Sequence, residues 1–241
     1  MAKGWDTSSN TRSRARGGKV RLKTARRRSN SSARWLQRQL NDPYVAEARR
    51  LGYRSRAAFK FIELEERYKL LKGVRRVVDL GCAPGGWTQV LSQRLDRKCQ
   101  IIGIDLQEVE AIAGVDLWQM DFLAADAEER LMNALNGPAD LVLSDMANSA
   151  TGHKQTDQIR TMALCEAGLD FAVKVLGKNG AFVSKVLAGG ADSTLMKKMQ
   201  FHFDSVKHAK PPSSRKDSKE WFVVAQGFKG RAEKEASPKD E

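Results

Sequence analysis

Between residues 76 and 227 the apolar positions change period repeatedly, from short β-branched and aliphatic runs to spacings of three and four. The runs read as strands buried on both faces, and the wider spacing reads as amphipathic helix. The pattern predicts strands over 76–80, 100–104, 115–120, 140–144, 180–187, 204–209 and 220–227, with helices over 86–96, 126–135, 156–176 and 191–200. Ahead of them lies a short helical stretch over 44–51. In "GYRSRAAFKFIELEERYKLL", Ala58, Phe61 and Ile62 fall at helical spacing, with Ser55 as the expected N-cap and Gly73 as the stop. Gly177 is expected to end the long helix. The last two strands are joined by "KPPSSRKDSK", which has no helical pattern, so an antiparallel hairpin is expected to close the sheet. The fold class is α/β: a doubly wound, mostly parallel, seven-stranded, Rossmann-like sheet with an antiparallel C-terminal hairpin.

The N-terminal stretch "TRSRARGGKVRLKTARRRSNSSARW" has too few apolar residues to offset the entropy of ordering it. We expect a basic arm over 1–33, one domain over 34–230 and a charged tail over 231–241. Of the net charge of +13, residues 1–50 carry +11, with 14 Lys and Arg against 3 Asp and Glu, which leaves +2 for the rest. Such an arm more often attracts phosphates, which points to a polyanionic partner, with a solubilising tail as the other reading. A mitochondrial transit peptide would need regular Leu/Phe spacing, which the arm lacks. No apolar region follows the basic start and no run of 18 apolar residues exists, so the expectation is a cytoplasmic protein with no membrane partner. Cys82, Cys99 and Cys165 lack CxxC spacing and read as reduced core residues. His153, His202 and His208 lie apart, so no metal is expected.

The chemistry gathers where "VVDLGCAPGGWTQVL" passes from strand to helix. Gly81, Gly85 and Gly86 allow a sharp turn and a close approach of backbone to ligand, and the next helix opens with free amides. A dinucleotide loop would read GxGxxG and would not carry an acid, Asp79, inside a phosphate site. A cationic, amine-bearing cofactor such as S-adenosyl-L-methionine suits that acid better. Asp105 ends the next strand, about twenty residues on, where a carboxylate accepts both hydroxyls of an adenosine ribose. Asp121 and Asp145 end the third and fourth strands, the former in reach of an adenine amino group.

In order and spacing, "SRAAFKFIEL", "VVDLGCAPGGWTQ", "IIGIDL", "QMDF", "LVLSDMA", "FVSKVL" and "SSRKDSKEWFVV" resemble the bacterial FtsJ/RrmJ-type ribosomal RNA large-subunit methyltransferase E family over residues 42–228. The resemblance implies an S-adenosyl-L-methionine-dependent enzyme that methylates the ribose 2′-hydroxyl of a uridine in the A-loop of 23S rRNA, in the large ribosomal subunit. It implies a Lys-Asp-Lys-Glu tetrad at Lys60, Asp145, Lys185 and Glu220, and cofactor contacts from Gly85, Trp87, Asp105, Asp121 and Asp145. Cys82 departs from the small residue usual there, and the arm is longer than in compact members.

Lys185 interrupts a strand expected to be buried, which makes it the candidate proton acceptor or alkoxide stabiliser. Lys60 would orient the hydroxyl or the ribose, Glu220 would hold the lysines in register, and Trp87 would wall the cofactor or join the core. Phosphate contacts are expected from the arm, from Arg49, Arg50, Arg54 and Arg56, and from Lys210, Arg215 and Lys216. Two other readings are a non-catalytic RNA-binding ribosome assembly factor on a methyltransferase fold and a small-molecule methyltransferase; the basic arm argues against the second. A monomer is the default.

Overall fold

Val77, Val78, Leu80, Ile101, Ile102, Ile104, Leu141, Val142 and Leu143 are all nearly sealed from water, so the strands they form lie at the centre of a sheet covered on both faces. The computed structural model describes residues 30–148, 151–187 and 193–230. Its strands are β1 (Arg76–Leu80), β2 (Gln100–Asp105), β3 (Asp116–Gln119), β4 (Ala139–Ser144), β5 (Leu176–Leu187), β6 (Phe203–Ala209) and β7 (Glu220–Phe228). They form one sheet in the order β3-β2-β1-β4-β5-β7-β6. β1 to β5 pair in parallel and β7 runs antiparallel to both β5 and β6.

The expected hairpin forms, and its inner strand is β7. Phe222, Val223, Val224 and Ala225 are buried on both faces, whereas β6 exposes Asp204, Lys207 and His208. The strand with two apolar faces takes the interior, and the one carrying charges takes the edge.

The helices are α1 (Asn30–Leu40), α2 (Pro43–Arg50), α3 (Ala57–Tyr68), α4 (Gly86–Arg94), α5 (Ala127–Ala134), α6 (Lys154–Val175) and α7 (Ser193–His202). Phe61, Leu64, Trp87 and Leu91 of α3 and α4 pack on Val77, Leu141, Val183 and Phe222. On the other face Leu131, Leu169, Phe171 and Met199 of α5 to α7 pack on Val78, Val142, Phe182 and Val223. Each fully buried side chain of this size contributes about 1.5–3 kcal/mol.

Three local expectations are corrected. Ser55 is not the N-cap of α3; Arg56 holds that position, and Ser55 Oγ instead accepts from Ala57 N at 3.2 Å. Gly177 does not separate helix from strand. α6 passes straight into β5 at Leu176, and the irregularity is absorbed by a register shift between Ala139 and Leu141. α1 has no counterpart in the predicted pattern and crosses the boundary drawn at residue 33. The rest of the arm and the C-terminal tail lie outside the described residues. No helix among the described residues is long and apolar enough to cross a membrane.

Gly81 follows β1 with φ +76, and a Cβ there would stand 2.7 Å from the backbone of Met146. Gly81→Ala is expected to cost at least about 2 kcal/mol, through both the left-handed conformation and the clash. Urea denaturation measures it, and a loss under 1 kcal/mol would show that the crossing of these two strand ends is not tight.

Candidate active site at the carboxyl ends of the strands

Backbone bonds fold the glycine loop down over the sheet. The amides of Gly81 and Cys82 donate to Ile104 O at 2.9 and 3.1 Å, and Asp145 N donates to Leu80 O at 3.0 Å. Gly85, with φ +97, is the N-cap of α4. A Cβ on Gly86 would meet Ser55 Oγ at 2.3 Å, so α3 and α4 approach closely there. The first amides of α4, Trp87 among them, have no acceptor within the helix.

The strand-end acids differ sharply in exposure. Asp79 is 1% exposed; its Oδ2 accepts from Thr88 Oγ1 at 2.6 Å and its buried Oδ1 has no partner. Burial pushes its carboxyl up to about 7, with the charges of Asp145 and Asp105 adding and the Thr88 bond opposing. Asp105 accepts from Ala83 N and Gln107 N, one on each oxygen, at 2.9 and 2.8 Å. Each oxygen keeps capacity for a further donor. Asp121 Oδ1 accepts from Leu123 N at 2.9 Å. Asp105 and Asp121 line a cavity of about 160 Å³ whose walls include Leu106, Phe122, Leu123 and Met146.

Trp87 is only 3% exposed, its ring set between Phe61 and Phe222 at 5.3 and 5.4 Å and its Nε1 donating to Ala57 O. The indole is a core group and lines neither large cavity. Gly85 sits against Arg54 and Ile112 rather than on the wall of the 160 Å³ cavity.

Three of the four tetrad positions come together through sheet register, and Lys60 joins them from α3. Ser144 pairs with Ser184, so Asp145 and Lys185 follow at the same level of adjacent strands. Lys185 Nζ donates to Asp145 O at 2.7 Å and to Asp145 Oδ1 at 2.9 Å. Across the sheet Lys185 faces Phe222 and Leu187 faces Glu220, which makes Glu220 a diagonal neighbour of Lys185 on the α3 face. There Lys60 Nζ bonds Glu220 Oε2 at 2.8 Å. Burial pushes Glu220 up, but the charge and bond of Lys60, helped by Lys185 and Ser218, outweigh it and hold the carboxyl below its ordinary range. Lys185 and Glu220 border a cavity of about 400 Å³ with Asn148, Thr161, Leu187 and Lys219. Ala147 and Asn148 border both large cavities, so the two adjoin.

A second charged cluster lies outside the sequence reading. Asp42, nearly buried, caps α2 through Tyr44 N and pairs with Arg56 at 2.6 Å and Arg215 at 2.9 Å. Arg56 also donates to Ser213 O, and Glu63 accepts from Ser213 N and Oγ at 2.8 and 2.6 Å. The loop before Glu220 is thereby fastened to α3 on either side of Lys60. Arg56 and Arg215 are thus spent inside the protein, and Arg54 on Glu110 O and Ala111 O, rather than offered freely to phosphates. Asp42-Pro43 reads in sequence as a helix start; its ion pairs, 14 and 173 residues away, have no local signal.

The cysteines are free: Cys82 and Cys165 are buried, and burial lifts both thiols, that of Cys165 to about 11. No group of His, Cys, Asp and Glu among the described residues is arranged to hold a metal ion.

An open α/β sheet that reverses strand order at β1/β4, with a glycine loop and acids at its carboxyl ends, defines the Rossmann-like class of ligand-binding domain. Residues 53–228 match the family described as FtsJ-like methyltransferase, and the chain belongs to that family. It is 61% identical over 211 residues to the ribosomal RNA large subunit methyltransferase E of Novosphingobium aromaticivorans, covering 88% of this chain and 95% of that protein. The protein of the same name from Parvibaculum lavamentivorans is 52% identical over 237 residues, covering 94% and 92%. A crystal structure from Plasmodium falciparum, of a protein provisionally named a ribosomal RNA methyltransferase, is similar with a TM-score of 0.66 at 29% identity, over 74% of this chain and all of that one.

Removing the Asp42 carboxylate strands two guanidinium groups and uncaps α2, so Asp42→Ala is expected to cost about 3–5 kcal/mol. Its 210–218 loop should also become sensitive to limited proteolysis. Unchanged stability and an intact loop would show that Glu63 suffices to hold it.

Proposed function

We propose that this protein transfers a methyl group from S-adenosyl-L-methionine to the ribose 2′-hydroxyl of a uridine in the A-loop of 23S rRNA, in the cytoplasmic large ribosomal subunit. The observation that carries this reading is a buried lysine, Lys185, held by Asp145 at the rim of a 400 Å³ cavity beside the Lys60–Glu220 pair. Membership of the FtsJ-like family and the names of the similar proteins support it. The net +11 of residues 1–50 suits an RNA partner.

The cofactor fits the residues present. Asp105 can accept both ribose hydroxyls, Leu106, Phe122 and Leu123 suit an adenine ring that Asp121 would meet at its amino group, and Asp145, which borders the narrow space by the glycine loop, would meet the amino-acid end. When bound, the cofactor supplies an electrophilic methyl on a sulfonium. The remaining work falls to the chain. Lys185 Nζ gives two bonds to Asp145 and turns its remaining valence to the hydroxyl oxygen, where it steadies the charge or takes the proton as that oxygen becomes nucleophilic. Lys60 orients the ribose, and Glu220 keeps Lys60 in place. Leu187 and Ala147 supply apolar wall that limits water.

The decisive experiment is transfer of radiolabelled methyl to large ribosomal subunits from cells lacking this protein. Label is expected on an A-loop ribose 2′-oxygen, with Lys185→Ala reducing the rate by at least about a hundredfold. Absence of label on any RNA, with cofactor binding intact, would favour the non-catalytic assembly factor. Asp105→Ala is expected to weaken cofactor affinity by about tenfold or more, the worth of one charge-assisted hydrogen-bond pair. Unchanged affinity by calorimetry would remove Asp105 from the cofactor site.

A further inference from the structure

Of the four strand-end acids, Asp79 is the one sealed from water, and it touches neither large cavity. Its Oδ2 is held by Thr88 Oγ1 of α4, while Oδ1 is buried and unpartnered, and the residue borders a narrow space shared with Gly81, Cys82, Trp87 and Asp145. A buried carboxylate oxygen without a donor is costly. Two further carboxylates bear on it, Asp105 from the end of β2 and Asp145 from the end of β4; the other groups around it, the Thr88 hydroxyl and the Cys82 thiol, are neutral. The two tetrad lysines are committed elsewhere, Lys185 to Asp145 and Lys60 to Glu220.

Lys185 meets the charge of Asp145, but Asp79 and Asp105 make no ion pair among the described residues, and of these two the deeply buried Asp79 gains more from protonation. With its carboxyl lifted to about 7, Asp79 is half protonated near neutrality. The proton belongs on Oδ1, since Oδ2 already accepts from Thr88.

We infer that Asp79 is a charge sensor of the cofactor crevice: it holds a proton on Oδ1 in the free protein and releases it to solvent when a cation enters in front of Asp145. The protein thereby distinguishes a sulfonium donor from the neutral thioether left after methyl transfer. This rests on S-adenosyl-L-methionine being the donor. The donor binds as the O–H bond of Asp79 breaks, and loss of the sulfonium charge lets the carboxyl take a proton back, which loosens the spent product. Asp79 touches no reacting atom in this scheme; it is a specificity-determining residue acting through charge.

Calorimetry of the full chain tests this, with S-adenosyl-L-methionine and S-adenosylhomocysteine titrated at pH 6, 7 and 8 in phosphate and in Tris, whose ionisation enthalpies differ. Wild type is expected to release about half a proton per donor at pH 7 and to bind the donor about tenfold more tightly at pH 8 than at pH 6. The thioether should release less and show a shallower pH slope; any contribution from the α-amino group common to both ligands largely cancels in the comparison. Asp79→Asn keeps the shape and an acceptor for Thr88, and should bind the donor without the release and with a flat profile. Thr88→Val, which removes the bond opposing protonation, should move the midpoint of the wild-type profile upward, and serves where the first variant does not fold. Donor binding without proton exchange, equal release for both ligands, or release that survives in Asp79→Asn would overturn this inference alone. No donor binding at any pH would overturn it together with the cofactor reading.

Discussion

A lysine in a strand covered on both faces can exist only if its charge is met, and much of this site follows from meeting the charge of Lys185. Taking the ammonium out of water costs several kcal/mol. It is returned by two oxygens of one residue, Asp145 O and Oδ1. That arrangement needs β4 to end one residue before Asp145, in register with β5, and Ser144 opposite Ser184 provides it. The antiparallel β7 then brings Glu220 to the diagonal position, where it takes up the second lysine. A shift of one residue in either pairing would turn Lys185 or Glu220 to the opposite face of the sheet.

The second lysine arrives from far away in the chain, since 160 residues separate Lys60 from Glu220. Holding them together falls to a loop with no regular structure, and Asp42 and Glu63 fasten that loop to α3. Charges that look like surface for an anionic partner are here internal fittings. The basic surface left for such a partner is narrower than composition implies: Arg49 and Lys216 are exposed, whereas Arg56 and Arg215 are engaged.

The strand-end acids show how burial divides labour among identical side chains. Asp121 is exposed, Asp105 is half-buried with both oxygens anchored by backbone, Asp145 is neutralised by Lys185, and Asp79 is sealed and left with an orphan oxygen. Exposure decides which of them can reach a ligand directly and which responds only through its field.

The alternation of apolar runs by itself determined the seven strands, the doubly wound class and the strand-end placement of the acids, because buried strands must be apolar and ligand crevices open where they end. Even β7 taking the inner place is legible in "EWFVVAQGF" against "FDSVKHA". Helix starts and stops were less so: Ser55 spends its hydroxyl on a turn because Gly86 packs against it, and Gly177 falls inside β5. Tertiary structure alone decided that Trp87 is core, that Asp79 lies beneath the crevice, and that Arg56 and Arg215 share Asp42. These depend on which distant side chains arrive at one point and on how much water they exclude, and neither is a property of any local stretch of chain.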